Sequence, residues 1–348
     1  MKNTGFFEKL YFNKLPLDGK DMALSRRLSI LEGCTARTIF TLTGGAFLVG
    51  YAKYLGASDE ISGIISAIPV LASMIMVISP TVFERLQSRK LMIIILCMIG
   101  RLSLGGMIFV PLLVHSTKLR IALLVGIFLF ASLVLAFTLP AAQWWILSLT
   151  PQEIRGRYFG IREFYVLGFV TVATLIMGWI LDAFEHRGNE FGGFVIVYAF
   201  VFLVAIVNFI IFSFMKEQPL PKNETRLGIL EMIALPLRNG QFGKIILLLA
   251  LWNVGFQLSA PFSAVYMVSG LKLGYMYITM MAMLASVASV SVVRLWGKLA
   301  DRKSWIFLMK FLILIQVMSQ LLWFLTNEAT AMFLIPLAHI FSGAAASG

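Results

Sequence analysis

Long apolar runs separated by short polar connections fill this chain from Leu28 to its end. Roughly ten of them approach the 20 or so residues that cross a bilayer as a helix. They run from Leu28 to Leu55, Ile61 to Val82, Leu91 to Val114, Ile121 to Leu147, Tyr165 to Phe184, Phe194 to Phe214, Ile245 to Leu271, Tyr275 to Trp296, Trp305 to Leu325, and Ala331 to the end. A surface helix of a soluble protein would show a polar face at 3.6-residue spacing. FVIVYAFVFLVAIVNFIIFSF shows no such face. The pattern predicts an all-α, polytopic transmembrane helical bundle.

Two of the connections resemble one another. SPTVFERLQSRK holds Glu84-Arg85 and VRLWGKLADRKS holds Asp301-Arg302, each with a helix breaker, Pro80 or Gly297, four positions before the acid. Their offset, 301 − 84, is about 217 residues, and a repeat of that length spanning several helices marks a duplicated carrier. The expected organisation is a tail over 1–27, a six-helix bundle over 28–214, a linker over 215–244, and a partial second bundle over 245–348. Shifted by the same offset, the fourth, fifth and sixth spans run past Gly348. The sequence therefore reads as a carrier lacking its last two helices and part of the tenth, with a ten-helix protein as the alternative.

Composition changes little in this picture but excludes much. The chain is 59% hydrophobic and 13% charged, with a mean hydropathy of +0.88, against roughly 45–50% apolar and 25% charged residues in soluble domains. The net charge of +12 is spread between apolar spans, not gathered into the stripe that binds nucleic acid. About twenty of the basic residues lie in the tail and the even loops and about five in the odd loops, which places tail and even loops in the cytoplasm of a cell membrane, inner or plasma. The odd loops are short and several are acidic, with Asp59-Glu60 after the first span and Glu185 and Glu190 between the fifth and sixth. Cys34, Cys97 and the histidines form neither a disulfide framework nor a metal-ligand spacing. The absence of a GxxxxGK[ST] loop speaks against ATP-driven pumping, and no cofactor is implied. In the linker GILEMIALPLRN, and in the tail FFEKLYFNKL, are patterns for short helices lying on the membrane surface.

GKLADRKS after the eighth span, together with two six-helix halves and a basic central loop, resembles the major facilitator superfamily. Gly297, Asp301, Arg302 and Lys303 match that family's loop signature closely. Pro80, Glu84, Arg85, Arg89 and Lys90 match it in degenerate form. In PQEIRGRYFG, Arg155, Gly156, Arg157 and Gly160 are similar to the family's turn before span five. The resemblance implies a secondary transporter that moves a small solute, with or without a coupling ion, by alternating access, working as a monomer and not as an enzyme. It also implies that the acid-arginine loops gate the cytoplasmic side, the alternative being that they are only positive-inside anchors. A pair worth about 0–1 kcal/mol biases such an equilibrium without freezing it. YVLGFVTVATLIMGWILD has no proline and span four lacks the arginine motif of proton coupling, so the family's drug/proton antiporters are a poorer match. The rival class is a non-transporting receptor or sensor, or an inactive remnant.

Charges inside the spans supply the site expectations. Arg37 lies about nine residues into span one and Arg101 about ten into span three, too deep to snorkel easily. Each suits either a substrate contact or a bond to a neighbouring helix. Asn253 and Gln257 share a face of span seven, the counterpart of span one, followed by Pro261. Glu32 is the acid best placed for proton coupling, or for an interfacial pair with Arg26 or Arg27. Trp144-Trp145 fits an interfacial belt, and Gly44-Gly45 and Gly105-Gly106 permit close helix approach.

Overall fold

A computed structural model describes residues 17–86, 88–218, 234 and 240–347, apart from some side chains in the later helices, and holds only helices among them. We number them α1 Gly19–Leu42, α2 Gly45–Tyr54, α3 Asp59–Ala72, α4 Ser79–Phe83, α5 Lys90–Gly106, α6 Val110–Leu113, α7 Thr117–Ser148, α8 Arg155–Glu185, α9 Glu190–Phe214, α10 Gly240–Val265, α11 Tyr275–Arg302, α12 Trp305–Leu325 and α13 Ala331–Ala346. Seven helical stretches among the described residues are long and apolar enough to cross a membrane: Asp59–Val77, Lys90–Leu113, Thr117–Ser148, Gln152–Glu185, Glu190–Phe214, Tyr275–Val292 and Ile306–Leu325. The seventh and tenth expected spans contain the shorter apolar stretches Phe242–Asn253 and Ala331–Ala346. The surface-helix patterns in the tail and the linker lie outside the described residues.

The first expected span is not one helix but two. Asp18 caps α1 by accepting the Gly19 N–H at 2.6 Å. Toward its end the hydroxyls of Thr38, Thr41 and Thr43 each bond back to the carbonyl four residues earlier, at 2.8, 2.9 and 2.8 Å. Such back-bonding competes with the helical ladder and bends it. The ladder then stops at Thr43, and Gly45 takes a left-handed φ of 49° before α2 begins. Only glycine adopts that conformation without a Cβ penalty.

The chain divides into two compact units, Met1–Val170 with Phe194–Leu258, and Thr171–Gly193 with Ser259–Gly348. Helix α8 runs through both. In the first, Trp145 stacks on Phe212 with ring centroids 5.5 Å apart, inside a core with Phe83, Ile93, Ile94 and Leu149. The buried Tyr51 packs on Tyr198 and donates to the Met107 carbonyl at 2.8 Å. Gly105 lets the Phe202 ring lie where a Cβ would be 3.1 Å away. In the second unit a Cβ at Gly343 would overlap the Ala285 backbone, so α11 and α13 meet closely. The Trp296 indole and Ser319 hydroxyl donate to the carbonyls of Ala344 and Ala338 at 2.8 and 2.9 Å.

The outer surface is apolar to a degree that water would not tolerate. Phe324 is 86% exposed and Phe333 75%, with Leu113 and Met74 similarly bare. Exposed apolar patches of this extent mark a surface made for lipid.

Candidate functional site

Helix α1 carries a buried polar stripe, Ser25, Ser29, Glu32 and Thr35, at helical spacing. Its centre is Glu32, 5% exposed. One carboxylate oxygen faces the Arg101 guanidinium of α5 at 3.3 Å, and the other faces Arg162 of α8 at 3.2 Å. Arg101 also donates to the Asn208 side-chain oxygen from α9 and lies over the Phe212 ring, 5.5 Å from its centroid. The Asn208 amide donates in turn to the Thr35 hydroxyl at 2.6 Å and to the Glu32 carbonyl at 3.3 Å. Arg162 further donates to the Ser29 carbonyl at 3.2 Å, and the Tyr158 hydroxyl both contacts the Ser29 hydroxyl and donates to the Arg26 carbonyl at 2.8 Å. Three helices are thus tied through one carboxylate, and Asn208 joins α9 to the same cluster. A buried ion is tolerated only when its lone pairs and protons find partners, and here both carboxylate oxygens do.

The close approach of α1 and α8 depends on Gly33. A Cβ there would sit 2.7 Å from Arg162 Nη2 and 2.8 Å from Val166 Cγ2. Gly33→Val should therefore displace Arg162 and cost about 1–3 kcal/mol by overpacking. Thermal melting in detergent measures it; a melt indistinguishable from the parent would show that the helices have room to part.

A second cluster closes the same end of the first unit. The Glu217 carboxylate, just beyond α9, accepts from the Ser88 hydroxyl at 3.1 Å, the Arg89 N–H at 3.0 Å and the Lys90 N–H at 3.0 Å. These are the orphan donors at the N-terminus of α5, where the helix dipole also favours an anion. Lys90 is 1% exposed, and its ammonium donates to the Ser213 carbonyl at 2.7 Å. Burial pushes the Arg89 guanidinium below its ordinary value, and the Glu217 charge offsets part of that. The Trp145 indole donates to the Lys216 carbonyl at 3.0 Å, the Lys216 N–H donates to Ser25, and the Lys216 ammonium pairs with Asp21 at 2.7 Å.

The structure brings together only part of what the sequence pointed to. Glu32 and Arg101 meet, but Glu32 pairs with Arg101 and Arg162, not with Arg26 or Arg27. Arg26 donates to the Leu149 carbonyl instead, at 3.0 Å. Arg37 is exposed and makes no ion pair among the described residues. Glu84 and Arg85 are exposed, and the burial in that loop falls on Arg89 and Lys90. Arg155 donates to the Thr150 carbonyl at 3.4 Å, Arg157 and Arg302 are exposed, and Asn253 is exposed on α10. Gln257, Gly297 and Asp301 lie outside the described residues. Trp145 is buried against Phe212, so of the tryptophan pair only Trp144 is placed for a belt. Sequence reasoning missed Arg162, Asn208 and Glu217. Asn208 carried a signal, as the one amide in an otherwise apolar sixth span.

Membrane-length helices with a lipid-type surface, knit at one end by buried ion pairs, define a multi-span membrane protein of the carrier type. The chain belongs to the Major Facilitator Superfamily, a family of secondary transporters, whose model matches residues 33–348. Solved structures of similar fold include the nucleoside transporter NupG (TM-score 0.62, 12% identity, 94% of this chain and 79% of that one). The xylose transporter XylE from E. coli, in an inward open conformation, is similar at TM-score 0.58 and 15% identity, covering 94% of this chain and 79% of that one. A bacterial homologue of the human lysosomal transporter Spinster, inward-facing and unoccupied, is similar at TM-score 0.57 and 18% identity, covering 94% and 73%. No curated protein matches. At these identities the likeness shows the fold alone.

Proposed function

We propose that this protein is a secondary transporter that moves a small solute across the cell membrane by alternating access, working as a monomer with its tail and even loops in the cytoplasm. The family supports the class, and one contact in the second unit carries the mechanism. The Asp182 carboxylate, near the end of α8, accepts from the Tyr275 N–H at 2.7 Å and the Met276 N–H at 2.9 Å. These are the first amides of α11, donors with no partner inside their own helix. Gly274 and Gly178 let the two helix ends approach: a Cβ at Gly274 would lie 3.0 Å from Asp182 Oδ2, and one at Gly178 would lie 3.2 Å from the Met276 nitrogen. A single carboxylate thus latches the fifth span to the eighth at the end opposite the basic loops. A latch made of two hydrogen bonds can open within a transport cycle, and its release would expose that side. The positive-inside asymmetry supports assigning the latched end to the outside.

In this reading Glu84, Arg85, Asp301 and Arg302, with the Arg155–Arg157 turn, serve the cytoplasmic gate. Asn253 and Gln257 serve the solute, Arg101 holds the charge network beside it, and Glu32 serves proton coupling only if its two ion pairs part in the cycle. Asp182→Ala, combined with Thr279→Cys as a reporter, should raise labelling by a membrane-impermeant maleimide from outside several-fold. Unchanged labelling would leave the contact as simple helix packing. Flux of a labelled solute into proteoliposomes, present in the parent protein, separates a carrier from a sensor or an inactive remnant.

A further inference from the structure

We infer that the transported solute is an anion, a small molecule bearing a carboxylate or phosphate, and that Arg37 holds its charge. The inference rests on the transport reading above and adds the charge of the cargo. It comes from an imbalance inside the first bundle. Arg101 and Arg162 take both oxygens of the buried Glu32 carboxylate, and Arg37, five residues further along α1, adds a third guanidinium that is exposed. Formal charges of three plus and one minus leave two plus. Counting Glu163, the exposed chain neighbour of Arg162, still leaves one.

The uncompensated charge falls on Arg37. It lies about nine residues, or about 14 Å of helix, past Leu28, where the first expected span begins, and a bilayer core is about 30 Å thick. Its guanidinium is exposed, donates no hydrogen bond and makes no ion pair among the described residues. An arginine at that depth facing lipid is heavily penalised, so intramembrane arginines turn to a protein partner or to a water-filled cavity. Among the described residues Arg37 has no protein partner, so its charge is assigned to the path of the solute. A neutral sugar or nucleoside would not balance the charge. A carboxylate or phosphate would, and the planar guanidinium matches either with two parallel hydrogen bonds. Asn253 of α10 is of a type suited to a solute's hydroxyl or carbonyl groups, so the charge, not the polarity, is what Arg37 adds.

The test uses the full chain, purified in detergent and reconstituted in vesicles, with matched pairs of probes: glucose 6-phosphate and glucose, adenosine monophosphate and adenosine, succinate and succinamide. At least one anion should raise the melting temperature and enter vesicles while its neutral partner does neither. Arg37→Gln should weaken that effect about tenfold or more, and Arg37→Lys should retain part of it. Neither substitution removes a contact among the described residues, so an unchanged melt without ligand reports a folded protein. Binding and flux of a neutral member, equal in the parent and in Arg37→Gln, would overturn the anion assignment and leave transport standing. No binding and no flux for any member would overturn both.

Discussion

Glu32→Ala should lower the stability of the first bundle by about 3 kcal/mol or more, the largest effect expected of any single change. Removing one partner from a buried ion pair strands the other charge, and such losses run about 3–5 kcal/mol. Here two guanidiniums are stranded at once. Arg101 is the more costly, since its side chain is only 11% exposed, while Arg162 at 18% has a little more access to water. The measurement is thermal unfolding in a mild detergent, with Glu32→Leu, Arg101→Leu and the double Glu32→Leu/Arg101→Leu beside the change to alanine. The double variant should melt closer to the parent than the sum of the two singles, because it removes the stranded charge together with its partner. Strictly additive losses would mean that the two side chains do not act as a pair.

The next largest loss should follow Glu217→Ala, at about 2–4 kcal/mol. The change leaves the Ser88 hydroxyl and two backbone N–H groups at the start of α5 without their charged acceptor, and buried donors so stranded cost about 1–3 kcal/mol each before relaxation. It also leaves Lys90 buried without the nearest negative charge. Glu217→Gln keeps one acceptor oxygen and should lose about half as much. Amide hydrogen exchange at Arg89 and Lys90 reads the effect locally: both amides should exchange faster in Glu217→Ala. Protection unchanged at those two positions would show that water caps the helix as well as the carboxylate does.

Seven of the expected spans were readable because each is a run of about twenty or more mostly apolar residues, a signal that needs no knowledge of neighbours. Their partners were not. Glu32 sits 69 residues from Arg101 and 130 from Arg162, and helical periodicity says which face a residue occupies without saying which helix meets that face. Local spacing made Arg26 and Arg27 the nearest cations, but Arg26 is spent on the Leu149 carbonyl. Arg162 was hidden for a different reason. It precedes the apolar run at Tyr165 and so read as loop, whereas α8 begins at Arg155 and carries it into the bundle. Glu217 reads as part of a polar linker over 215–244, because a helix cap supplied from a distant segment leaves no mark in the capped sequence. The Gly44-Gly45 pair reads in the sequence as permitting close helix approach; that one helix ends and another starts there goes with the three back-bonded threonines before it and the left-handed φ of Gly45.

That interruption has a mechanical consequence. A continuous helix moves as a rod, so any tilt at its inner end is delivered unchanged to its outer end. With the ladder cut at Thr43 and Gly45 as the swivel, the two parts of the span grip the same neighbours at separate points, α1 through Glu32 and Thr35 on Arg101 and Asn208, α2 through Tyr51 on Tyr198 and the Met107 carbonyl. A change of tilt on one side of Gly45 thus need not be carried across to the other.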